Sequence, residues 1–113
     1  AEGLMLLTPF AADATDDKTV SFVTAYKDKF GDTPIQFAAD AYDAAYIMKA
    51  AIEAGNLTPD MSVADLGTAM EEQMKSLSYD GLTGSGMTWN ETGDVDKEPK
   101  AVIVKDGAYT SAD

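Results

Sequence analysis

The sequence predicts an α/β fold whose sheet is incomplete: one strand, three helices and then two short strands. Two runs, Gly3 to Leu7 and Ala101 to Val104, are continuously apolar, the pattern of strands buried on both faces of a parallel or mixed sheet. Between them lie stretches of helical period, and after Leu77 the glycines at 81, 84, 86 and 93 break any helix. Two-faced burial needs neighbouring strands, and the chain offers too few of them. The missing partners come either from another copy or from further residues of a larger protein.

Each element has a local cause. The strand Gly3 to Leu7 stops at Thr8-Pro9, because proline cannot donate to a ladder. Asp16 or Thr15 caps a first helix in which Val20, Val23, Tyr26 and Phe30 keep near-helical spacing, and Gly31 ends it. The second helix, Phe37 to Gly55, is alanine-heavy, and small residues let it lie close against a sheet or another helix. Its first turn carries Phe37, Asp40, Tyr42 and Asp43. Ser62 starts a third helix with Asp65 as capping partner and Val63, Leu66, Met70 and Leu77 on one face. Met48, Met70 and Met74 read as core filling. Gly86 to Trp89 forms a short strand before the polar turn Asn90 to Asp94, and a last strand, Lys100 to Lys105, ends at the turn signal Asp106-Gly107.

Composition closes off several kinds of chemistry. A formal net charge of −12 with only eight Lys and Arg argues against a nucleic-acid partner, since phosphate binding needs clustered cations. Without Cys there are no disulfides or thiolate metal sites, and without His the usual general base and commonest zinc ligand are gone. No apolar run is long enough to cross a bilayer, and GLMLLTPF is too short and lacks the basic flank of a signal peptide. The chain is either cytosolic or has lost its targeting segment. Asp94, Asp96 and Glu98 alternate as a metal loop does, yet lack the glycine and distal Glu of an EF-hand, so they read as a solvated turn. Trp89 reads as a plug at a strand end, and Asn56-Leu57-Thr58 and Asn90-Glu91-Thr92 match the glycosylation pattern by chance.

The series AEGLMLLTPF, FVTAYKDKFGDTPIQFAADAYDAAYIMKAAIEAG, GLTGSGMTWNETGDV and KAVIVKDGAY resembles the C-terminal third of type I periplasmic solute-binding proteins, the leucine/isoleucine/valine-binding branch of ABC importers. The most specific pieces are the AYDA of the second helix, the GLTGSGMTW turn and strand, and the strand before Asp106-Gly107. The resemblance implies a partial Rossmann-like lobe of a two-lobed fold that traps a small solute between its lobes. Residues 1–8 would then be a second-lobe strand, 9–99 mostly first-lobe helices and a short strand, and 100–113 the return to the second lobe. Thr8, Pro9 and Phe10 would be a hinge, and most of the binding site would lie outside this chain.

The resemblance further implies that the chain contributes Gln36, Phe37 and Asp40 to ligand binding. Phe37 is either an apolar wall for a ligand side chain or a core residue covering the helix start. Asp40 either meets a ligand ammonium or answers the helix dipole. Tyr42 either packs under the sheet with its hydroxyl partnered or contacts the cleft, and Asp43 is structural. The implied function is non-enzymatic: capture of an amino acid or similar solute at the periplasmic or extracellular face of the cytoplasmic membrane, for delivery to an ABC permease, without cofactor or metal. The alternatives are a ligand-sensing domain of a receptor or regulator, and a small acid-base enzyme using Asp40, Asp43 or Glu53. Alone, the chain is expected to self-associate through the edges of its unfinished sheet.

Overall fold

The structure is a computed structural model and describes residues 1–112. Chain order is β1 (Met5–Thr8), α1 (Asp17–Phe30), α2 (Gln36–Ala54), α3 (Val63–Ser76), β2 (Thr88–Trp89), β3 (Val95–Asp96), β4 (Lys100–Lys105) and β5 (Ala108–Ser111). Helix ends follow the capping chemistry of the sequence. Asp16 accepts a bond from the Thr19 N–H at the start of α1, and Gly31, at φ 74°, donates to the Lys27 carbonyl at its end. Ser62 and Asp65 cap α3 reciprocally: the Asp65 N–H donates to Ser62 Oγ at 3.1 Å, and that hydroxyl donates to Asp65 Oδ2 at 2.7 Å.

The strands depart from expectation. β1 pairs antiparallel with β4, and β4 with β5, in the order β1-β4-β5. β5, absent from the sequence prediction, exists because Asp106 and Gly107 both adopt positive φ and turn the chain straight back. β2 and β3 form a second small sheet across the Asn90 to Asp94 turn. The anticipated two-faced burial is not found either: Val102 is buried, but Met5 is 60% and Leu7 74% exposed. Continuous apolarity in β1 therefore marks surface that nothing among the described residues covers. The sheet is incomplete, as the strand inventory required.

The core lies among the helices. Phe10, Phe22, Val23, Ala39 and Leu82 form its centre, with Phe10 edge-on to Phe22 at 5.9 Å between ring centroids. Among the described residues no helix packs extensively on the three-stranded sheet, and they extend over 52 × 31 × 22 Å. Their radius of gyration is 16.5 Å, where a compact domain of this length has about 13 Å. Three apolar positions expected inside are not: Met48 on α2, Val20 and Phe30 on α1 are all exposed. On α3, Leu66 and Met70 are half-buried and Val63 is open. The buried methionine is instead Met87.

Candidate functional site

Helix α2 begins where β1 ends. The Thr8 hydroxyl lies 2.9 Å from Gln36 Oε1 and 3.1 Å from the Phe10 carbonyl, and the Phe10 N–H donates back to Thr8 Oγ1 at 3.3 Å. Phe10 itself is anchored in the helical core. The hinge candidates Thr8, Pro9 and Phe10 thus join strand to core, and one of them touches the candidate Gln36. Ile35, the residue before α2, caps it with no side-chain bond, and the first turn holds no acid. Asp40 stands beyond that turn and half-buried, which corrects its placement in the first turn and removes the dipole as its explanation. Phe37 is 68% exposed, so in this chain it is no core residue.

Tyr42 does not pack under the sheet. Its ring stacks tilted on Phe22 at 4.9 Å and on Tyr46 at 4.8 Å. Hydrogen bonding to Tyr46, and then burial, raise its hydroxyl's pKa. These rings, with Tyr26, Phe30 and Tyr79, wall a groove of about 770 Å³ between α1 and α2. Burial and the neighbouring Asp43 charge likewise raise the Tyr79 pKa. Gln36, Phe37 and Asp40 lie outside this groove.

Asp43 is a buried carboxylate on α2. Ala39, Asp43, Ile47 and Ala51 are the buried residues of α2, so one carboxylate sits on an otherwise apolar stripe. It is 3% exposed and fully partnered: Oδ1 accepts the Leu82 N–H at 2.9 Å, and Oδ2 accepts the Thr83 N–H at 2.8 Å and its hydroxyl at 2.7 Å. Gly81 makes room for it, since a Cβ there would stand 2.5 Å from Oδ2. The sequence alone makes Asp43 structural without revealing these partners; the available signal is an acid at helical spacing among Ala39, Ile47 and Ala51. Asp94 is tied into its own turn, where the hydroxyl of Thr92 and then the amide of Asn90 hold its carboxyl below the ordinary range.

The family model described as periplasmic binding protein matches residues 1–108. The chain belongs to that family. Among solved structures it is similar to a protein of Rhodospirillum rubrum assigned to a branched-chain amino acid ABC transporter, at 33% identity and a TM-score of 0.70, over 97% of this chain and 30% of that one. It is also similar to a leucine-binding protein of Thermotoga maritima, at 28% identity and a TM-score of 0.74, over 99% of this chain and 30% of that one. A solute-binding protein of an R. palustris ABC transporter, solved in complex with benzoate, matches at 14% identity and a TM-score of 0.78, over 98% and 29% of the two chains. That last likeness shows the fold alone. The chain thus spans about 30% of the length of these family structures. No curated protein matches it.

Proposed function

We propose that the chain is part of a two-lobed binding protein that captures a small solute, foremost an amino acid, in the periplasm and delivers it to an ABC permease. Residues 1–8 and 100–113 belong to one lobe and 9–99 mostly to the other, with Thr8, Pro9 and Phe10 as a crossing between them. Support comes from the family match and from the Thr8–Gln36 bond, which ties the strand's end to the start of α2 beside the exposed Phe37. Phe37 supplies an apolar wall for the solute, Gln36 an amide whose oxygen is engaged by Thr8, and Asp40 an acceptor one turn along. Closure transmits the signal, because a permease can distinguish loaded from empty protein only if the solute favours the closed state. The role is binding, not catalysis, as in the solute-binding proteins matched.

Leucine, isoleucine, valine and benzoate are the probes for a thermal-shift screen of the full-length protein, benzoate because one neighbour of the same fold binds it. At least one is expected to raise Tm by mass action, and no shift with any of them at millimolar concentration would refute this solute class. Phe37→Ala is expected to weaken the active probe about tenfold, the loss of part of one buried ring, without lowering the ligand-free Tm.

A further inference from the structure

The three bonds on Asp43 all come from the loop between Tyr79 and Met87, whose ends pair with each other as an isolated bridge. Thr83 extends this contact outward. Its single hydroxyl proton goes to Asp43 Oδ2, leaving its lone pairs to accept Lys97 Nζ at 3.1 Å. A buried carboxylate on α2 is therefore linked, through one buried hydroxyl, to the residue that follows β3. Beyond Lys97, Glu98 and Pro99 are exposed and belong to no strand, and β4 begins at Lys100.

We infer that Asp43 is a positioning residue for the return crossing: it holds the 79–87 loop, and through Thr83 the side chain of Lys97, to α2, confining the bend between helices and sheet to Glu98 and Pro99. The inference rests on the two-lobed proposal for its mechanical meaning. Residues 79–97 then travel with α2 as one body during closure. Without the link, the bend would spread back through the loop, and the lobes would close without a fixed register. Gly81 belongs to the same device, because any Cβ there would occupy the carboxylate's place.

Hydrogen exchange on the ligand-free full-length protein tests it. Asp43→Asn replaces an acceptor by an amide group facing N–H donors, and is expected to speed exchange at the Leu82 and Thr83 amides about tenfold or more. Thr83→Val is expected to loosen the β2–β3 hairpin while β1 and β4 keep their protection. Thr83→Ser, which retains the hydroxyl, is expected to restore the parent pattern. Lys97→Met cuts only the outer link, and should loosen the hairpin while leaving the Leu82 and Thr83 amides protected. Trp89, the sole tryptophan of this chain and part of β2, gives a second readout: its quenching by acrylamide should rise with Thr83→Val and not with Thr83→Ser, read on a parent whose other tryptophans are replaced. Uniform acceleration across the chain, or unchanged exchange in Asp43→Asn and Thr83→Val, would overturn the inference. An empty solute screen would leave these exchange results standing, so the two proposals fail separately.

Discussion

Gly81→Ala is the sharpest probe of how this chain holds together. The added Cβ would meet Asp43 Oδ2 at 2.5 Å and its Cγ and Oδ1 at 2.7 Å, far inside van der Waals contact. Gly81 does not have positive φ, so backbone conformation adds no cost of its own. Asp43 cannot retreat, because α2 fixes its stem among Ala39, Ile47 and Ala51. The carboxylate must swing off at least one of its bonds to Leu82 and Thr83 or push the loop away. A charge-assisted bond contributes about 1.5–3 kcal/mol, and a buried donor left unpaired costs a similar amount. Loss of one such bond plus local overpacking destabilises by about 3 kcal/mol. Urea unfolding followed by circular dichroism measures it. Gly67→Ala in α3 is the matched control, since a Cβ there meets nothing within 4 Å and the helix should gain about 1 kcal/mol. A Gly81→Ala loss under about 1 kcal/mol would show that the loop yields freely and that the Asp43 bonds do not fix it.

Two further outcomes follow from other sites. Burial pushes the Asp16 carboxyl up, but the Thr19 hydrogen bonds and the Lys100 charge outweigh it and hold the group below its ordinary 3.8. Its capping contribution is thus complete above that value and is lost as pH falls through the lower folded value. Helicity of Asp16→Ser, which caps without titrating, should fall less between pH 4 and pH 2 than that of the parent, and equal curves would contradict this. Leu7→Lys, at the exposed edge strand β1, should shift this chain toward monomer in sedimentation velocity; a parent that is already monomeric would refute association through that edge.

Much of the fold was legible because its causes are local. Asp16, Gly31, Ser62 and Asp65 mark helix ends by side-chain and backbone bonds that span only a few residues. β4 was read at its observed bounds, since a run of apolar residues ending in Asp106-Gly107 has few alternatives. β5 was missed because its residues carry weak strand character and form a strand only by returning onto β4. Burial was misjudged at Leu7, Met48 and Phe30 for one shared reason. Apolarity states that a residue needs cover, not which segment provides it, and a chain about 30% the length of its family structures leaves such faces open.

The sequence by itself determined the family and the helices: motif order and capping residues are properties of the chain read along its length. Only the tertiary structure decided that Thr8 meets Gln36, that Phe37 stands open, and that Asp43 is shared by Leu82 and Thr83 across some forty residues. Those contacts join residues far apart along the chain. Nothing in either partner's neighbourhood specifies the other, so only the packing of α2 against the 79–87 loop and the end of β1 can bring them together.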